Sequence, residues 1–170
     1  MPLLKSGKVV DDIWAHVEDG HELSPGGCFT VSLGRFLSEH DQLLARNRSI
    51  GVRLAASDDP ALLEPHLERL HLIELSFPKY TDGRAFSQAQ LLRRRFDYKG
   101  EVRAIGQVLR DQLRLMIRAG FDAMVIEEAD AEGVYDLSAH EFSEFYQAAS
   151  DAPDSIFEKR HRKKQEKAAE

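Results

Sequence analysis

The sequence predicts an α/β protein of roughly five strand–helix units on a parallel sheet, curved as a partial TIM-like barrel. Three observations lead there. Short apolar strands alternate with helical patterns between residues 28 and 152, which favours parallel strands joined by right-handed crossovers. The connections are short and carry Gly, Pro, Asp and Ser. The strands are also two-faced: Val52, Leu54, Ile73, Leu75, Phe77, Val102 and Ala104 alternate with Arg53, Glu74, Ser76 and Arg103. An open doubly wound sheet buries both faces and reads apolar throughout. A sheet with one polar face, carrying Thr30, Ser32, Arg53, Glu74 and Arg103, suits the inside of a barrel. The alternative fold is an open flavodoxin-like sheet. A partial barrel leaves borders exposed, which favours a homodimer or cover by the N-terminal segment.

Residues 1–27 form a preface. Val9, Val10, Ile13, Trp14 and Val17 fit neither period, while Gly20 and Pro25-Gly26-Gly27 mark turns. A short strand or hairpin anchored by Trp14 is expected. The βα-repeat region, 28–152, opens with a strand over Cys28–Leu33, in which Cys28 is expected to be buried, and a helix over Arg35–Asn47 with Phe36, Leu37, Leu43 and Leu44 inward. Ile50–Ala55 is the second strand. Asp59 is placed to cap the next helix, with Pro60 in its first turn. That helix carries Leu62, Leu63, Leu67 and Leu70 and has Pro65 early enough to be tolerated. Leu72–Phe77 is the third strand, and Ser87 suits a cap for a helix with Leu91, Leu92 and Phe96. Glu101–Ile105 is the fourth strand. Val108–Ala119 is a helix, with Leu109, Leu113, Met116 and Ile117 on one face, stopped by Gly120. Ala123–Glu127 is the fifth strand. Ser138 and Glu141 have capping-box spacing for a last helix with Phe142, Phe145 and Tyr146. Residues 153–170 form a charged tail, read as a solvated helix or a disordered segment.

A chain of 170 residues, 42% hydrophobic and 31% charged, suits one soluble globular domain. The net charge of -6 disfavours a general nucleic-acid binder. The single cysteine, Cys28, rules out an intrachain disulfide and fits a reducing cytoplasm. The N-terminus lacks the apolar core of a secretory signal. No apolar run approaches the length of a membrane span, so no membrane partner is expected.

Binding and catalytic groups on parallel α/β folds gather at the carboxyl ends of the strands. Ser76–Ser87 is the densest such connection, with Lys79, Tyr80, Thr81, Asp82 and Arg84. Lys79 and Arg84 suit an anion, and Asp82 could orient one of them or act as a base. The same Thr81-Asp82-Gly83 also reads as a turn, with Gly83 supplying positive φ and Asp82 an Asx bond. Below it, Arg53, Glu74 and Arg103 share the polar face if strand order follows chain order, and the glutamate can then bridge both cations. Lys79, Asp82, Gly83, Arg84, Arg53, Glu74 and Arg103 thus form the candidate anion-binding or docking set. Arg93-Arg94-Arg95 reads as a solvated helix face, or a docking cluster. No Gly-x-Gly-x-x-Gly, P-loop or Cys-x-x-Cys is present, and the seven histidines are scattered. No cofactor, metal site or catalytic residue is identified.

Several short blocks occur in a specific order. Phe77-Pro78-x-x-Thr81-Asp82-Gly83-Arg84 is followed by Ser87 and Leu91-Leu92-Arg93. Gly100-Glu101-x-Arg103-Ala104-x-Gly106, Asp111-Gln112 and Gly120-Phe121-Asp122 come next. This pattern resembles domain of unknown function family 934 over most of residues 50–128, with weaker likeness around Trp14. Tyr80 stands where an aromatic is usual. The family is associated with assimilatory sulfite reduction, so the resemblance implies a role in sulfate assimilation and cysteine synthesis. It implies no particular reaction. Two functions are expected from different classes. One is an accessory protein of sulfite reduction that binds the reductase or its electron donor. The other is a small oxyanion-binding protein or enzyme acting on sulfite, sulfate or a phosphorylated ligand.

Overall fold

Eight strands, numbered in chain order, form a single sheet in the computed structural model of the chain. They are β1 (Leu3–Lys5), β2 (Lys8–Val10), β3 (Trp14–His16), β4 (Cys28–Ser32), β5 (Ile50–Leu54), β6 (Leu72–Phe77), β7 (Glu101–Gly106) and β8 (Ala123–Val125). The structure describes residues 1–24, 26–46, 48–142, 149–150 and 155–168. The spatial order is β2-β1-β8-β7-β6-β5-β4-β3. β3 to β8 are parallel neighbours in chain order. β1 runs antiparallel to β8, and β2 folds back on β1. Their two-residue turn has Ser6 at φ 49° and Gly7 at φ 80°. Two positive φ values in sequence match the twist of a tight hairpin.

The connection between β2 and β3 dictates the shape of this sheet. The two strands lie at opposite borders, yet only residues 11–13 join them. Four Cα steps reach at most about 15 Å. Seven strand spacings of a flat sheet would set the borders about 34 Å apart. The sheet must curl, and it does so as a half-barrel. The hairpin and β3 thus bring preface residues into the main sheet at both of its borders.

Helices cover the outer face. They are α1 (Leu33–Ala45), α2 (Arg84–Gln90), α3 (Leu113–Ala119) and α4 (Ala131–His140), with 3-10 segments at Pro60–Arg69 and Arg110–Gln112; the tail forms a separate, largely exposed helix, α5 (Ile156–Ala168). Val31, Val52, Leu54, Ile73, Leu75, Phe77, Val102 and Ala104 are fully buried beneath them, with Phe36, Leu63, Leu92, Leu113 and Met116 from the helical layer. This is the mixed α/β, βα-repeat architecture that the alternation predicts, with one apolar strand face under helices and one polar face opposite.

Local details differ from expectation for identifiable reasons. Ser32 accepts from the Arg35 N–H at 3.1 Å, so α1 starts at Leu33, ahead of Arg35. Leu37 then turns outward and is exposed. The segment after Pro60 is 3-10, with Asp59 capping it as expected through the Ala61 N–H at 2.9 Å. Pro65 supplies no N–H to a helix, and on this winding Leu62 is exposed. Ser87 caps nothing: it lies inside α2, which begins directly after Gly83. Ser138 also lies inside a helix, bonded to the Val134 carbonyl at 2.8 Å, because Asp130 caps α4 through the Gly133 N–H. Val108 and Leu109 precede the helix that was expected to include them, and Leu109 is exposed. Gly120 ends α3 at φ 100°, as expected. Cys28 is free and half-buried where full burial was expected. Pro25, Asn47, Phe145, Tyr146 and Pro153 lie outside the described residues.

An unpaired strand border invites edge-to-edge association. Here carboxylates occupy outward N–H groups on both border strands. Glu132 of α4 accepts from the Val9 N–H at 2.9 Å and from Lys8 Nζ at 2.9 Å. Asp12 accepts from the Trp14 N–H at 3.0 Å.

Candidate functional site

Parallel register sets Arg53 beside Glu74, and Glu74 beside Arg103. All three therefore point to the concave face. Glu74 accepts from Arg53 Nε at 2.8 Å and from the Thr30 hydroxyl at 2.9 Å. Its other oxygen lies 3.8 Å from Arg103 Nη1. Arg103 is 2% exposed and therefore needs nearby countercharge. Glu101, two residues earlier on the same strand face, meets its Nε and Nη2 at 2.9 and 2.7 Å. Lys5, from β1, meets Glu101 at 2.6 Å.

Two further members come from the preface. Asp12 places both carboxylate oxygens 3.0 Å from Arg103 Nη1. His16 Nδ1 lies 3.2 Å from the Thr30 hydroxyl, which itself donates to Glu74. Burial holds the His16 pKa below its ordinary value, and the Arg53 charge lowers it further. The imidazole is thus kept neutral near neutral pH, and one ring nitrogen can accept while the other donates. The result is a chain of polar contacts across the half-barrel, His16–Thr30–Glu74–Arg53 on one side and Asp12–Arg103–Glu101–Lys5 on the other. Of these, Thr30, Arg53, Glu74 and Arg103 were expected on the polar face. Glu101 was legible from its i, i+2 relation to Arg103. Asp12, His16 and Lys5 had no local signal, because their positions depend on the curl of the sheet.

The turn after β6 is a separate cluster. Asp82 accepts from the Arg84 N–H at 3.2 Å and from its guanidinium at 3.0 and 2.7 Å. Those bonds pull the Asp82 pKa down to about 2. Arg84 is thereby tied to its own turn. Gly83 has φ -85°, not the positive value expected of it. The Asp82 bond to the Arg84 N–H closes an Asx turn instead and lets an ordinary φ suffice. Lys79 is exposed at the mouth. Among the described residues, no hydrogen bond or ion pair joins Lys79, Asp82 or Arg84 to Arg53, Glu74 or Arg103, so the candidate set divides into two clusters.

Two glutamines that the sequence did not single out for binding hold this turn. Gln107 Oε1 accepts from the Tyr80 N–H at 3.2 Å, and Gln112 Nε2 donates to the Tyr80 carbonyl at 2.7 Å. Tyr80 itself is 55% exposed. At the opposite end of the strands, Arg93 is neither solvated nor available for docking. Its guanidinium donates to the carbonyls of Gly120, Tyr98 and Gly100 at 2.9, 2.6 and 2.9 Å, and to the Asp122 carboxylate. Asp122 in turn accepts from the Val102 N–H at 2.8 Å. Arg94 and Arg95 remain exposed.

A cavity of about 880 Å³ is lined by Leu109, Arg110, Arg114, Asp136, Leu137 and neighbouring residues. It contains none of the candidate residues. Among the described residues, no three His, Cys, Asp or Glu side chains gather to hold a metal ion. No described helix is long and apolar enough to cross a membrane.

No curated protein matches the chain. Residues 51–157 match domain of unknown function family 934, bacterial proteins of unknown function. That span includes Arg53, Glu74, the Tyr80 turn, the Arg93 clamp and Arg103, and the chain belongs to this family.

Proposed function

We propose that the chain is a cytoplasmic accessory protein of assimilatory sulfite reduction, acting by docking onto the reductase or its electron donor. The sulfite-reduction setting rests on the family resemblance of the motif blocks. The geometry bears on how the chain would act within it. The observation that carries the docking reading is Tyr80, a largely exposed aromatic whose backbone is bonded on both sides by Gln107 and Gln112. A backbone fixed before contact has less entropy to lose on binding, and exposed aromatics dominate interface energetics. Lys79, next to Tyr80 in sequence, and Arg110, two residues before Gln112, are exposed on the two connections that those bonds join. Tyr80 with these cations fits an apolar pocket with an acidic rim.

The test is binding of the full chain to purified sulfite reductase and to its electron-donor protein, measured by surface plasmon resonance. Tyr80→Ala is expected to weaken binding about 30-fold, as a central hot spot does, with the melting temperature unchanged. Binding that is indifferent to Tyr80 overturns the docking surface. Normal growth of a deletion strain on sulfate as sole sulfur source overturns the pathway.

A second reading is favoured by Lys79, which is exposed at the carboxyl end of β6 while Arg84 beside it is paired. It makes the chain a small oxyanion-binding protein or enzyme acting on sulfite, sulfate or a phosphorylated ligand. Under it, millimolar ligand raises the melting temperature of the wild type, and Lys79→Ala removes the rise.

A further inference from the structure

We propose that the concave face carries a seat for a singly charged carboxylate or oxyanion, and that Asp12 fills this seat in cis as a displaceable plug. Arg103 has two kinds of partner. Glu101 and Glu74 stand on the sheet and are nearly buried, with side chains 11% and 5% exposed. Asp12 stands on the three-residue connection between the borders of the half-barrel, and its side chain is 39% exposed. Its neighbours Asp11 and Ile13 are exposed too, Ile13 to 71%. A buried guanidinium thus directs one nitrogen toward a carboxylate that water reaches. Both oxygens of that carboxylate lie 3.0 Å away, the spacing of a charge-assisted bond to a bound anion.

Charge decides the class of ligand. Lys5, Arg53 and Arg103 are matched by Asp12, Glu74 and Glu101, three against three. When Asp12 turns away, one positive charge is left uncompensated, and its nearest bearer is buried. A monoanion restores the balance, whereas a dianion overshoots it beside Glu74 and Glu101. Turning Asp12 outward requires rotation of a side chain that already meets solvent, with loss of its bond to the Trp14 N–H. An external ligand therefore competes with a tethered carboxylate, whose effective concentration is in the millimolar range for a short connection. The plug raises the concentration at which the seat fills.

This inference is independent of the oxyanion reading: its ligand class follows from the charge count and its place is different, so the two fail separately. The experiment is a thermal-shift titration of the full chain with sodium formate, and separately with sulfate, at constant ionic strength. Asp12→Ala is expected to melt below wild type and to be stabilised by formate at a concentration at least about 10-fold lower than wild type requires. Sulfate is expected to do less than formate. Asp59→Ala removes a remote cap carboxylate and serves as the destabilised control. The proposal is overturned if Asp12→Ala responds to formate no more than Asp59→Ala does, or if sulfate outperforms formate. Should Asp12→Ala fail to fold, Asp12→Asn gives the same comparison. Lys79→Ala in the Asp12→Ala background leaves the response intact if the seat is on the concave face, and abolishes it if the anion binds at the turn.

Discussion

Glu74→Gln tests whether the concave face is held by charge or by shape. Gln keeps the length and an acceptor for Thr30 but removes the negative charge between two arginines. Arg53 then loses its ion partner, and Arg103 keeps Glu101 and Asp12. Breaking a buried pair typically costs about 3–5 kcal/mol, because a charge is left unmatched in a poor solvent. Arg53 is 31% exposed at its side chain and can turn toward water, so the lower end applies, about 3 kcal/mol. For a chain of this size that lowers the melting temperature by about 6–12 °C. Urea unfolding should show the same loss with an unchanged slope, since the surface exposed on unfolding is the same. Arg53→Met in the Glu74→Gln background should recover part of the loss by removing the orphaned charge. Lys8→Met breaks the exposed pair with Glu132 and calibrates what a solvated ion pair does. A loss for Glu74→Gln no larger than that of Lys8→Met would refute the argument that burial makes this network structural.

The remaining predictions address the backbone, the strand feet and the turn. Gly106→Ala should destabilise by at least about 2 kcal/mol in urea, because Gly106 sits at φ 94° and a Cβ there meets the Phe77 carbonyl oxygen at 2.4 Å. Gly34→Ala, in the first turn of α1 with nothing within 4 Å of its added carbon, should stabilise by about 0.5 kcal/mol in the same assay. Arg93→Lys keeps the charge but not the planar fork, and should cost about 2 kcal/mol by thermal melting through the three carbonyls it leaves short of donors. Asp82 has its pKa depressed to about 2 by Arg84, so its contribution is full above its unfolded value and fades as pH falls toward 2. Carboxyl NMR titration should show that midpoint, and Arg84→Met should move it up toward the ordinary aspartate range.

Hydrophobic periodicity is a local property, and it foretells local structure best. Leu72–Phe77 was legible to the residue because every second side chain needs the helical layer. Arg53, Glu74 and Arg103 were legible as a group because short crossovers keep chain order, and parallel register then aligns them. Helix starts were less legible, because several Ser and Asp residues compete for each cap. Asp130 and Ser32 prevailed where Ser138 and Arg35 were expected to begin helices. The Lys79–Arg84 turn was legible as a turn, but its separation from Arg53 was not. Arg84 satisfies its charge two residues away, and a nearby carboxylate on the same turn costs less ordering than one across the mouth. Asp12 and His16 were invisible for the opposite reason: their partners are distant in sequence and meet them only when the sheet curls.

The family blocks, placed on this structure, separate into two ends of the same strands. Gly100, Arg93, Gly120 and Asp122 meet where β7 and β8 begin, and their bonds run backbone carbonyl to guanidinium to carboxylate. That set fastens one strand start to the next. Thr81, Asp82, Arg84 and Gln112 lie at the carboxyl end, where Gln112 reaches across to the Tyr80 carbonyl and Asp82 neutralises Arg84. In a parallel α/β fold the first end reads as stability and the second as function. At the second end Asp82 and Arg84 are paired with each other, while its aromatic is left exposed on a pinned backbone. A site built to move protons would keep a titratable group free near neutrality; Asp82, with its pKa near 2, does not serve as one. Pinning an exposed Tyr80 instead lowers the cost of being grasped by something else.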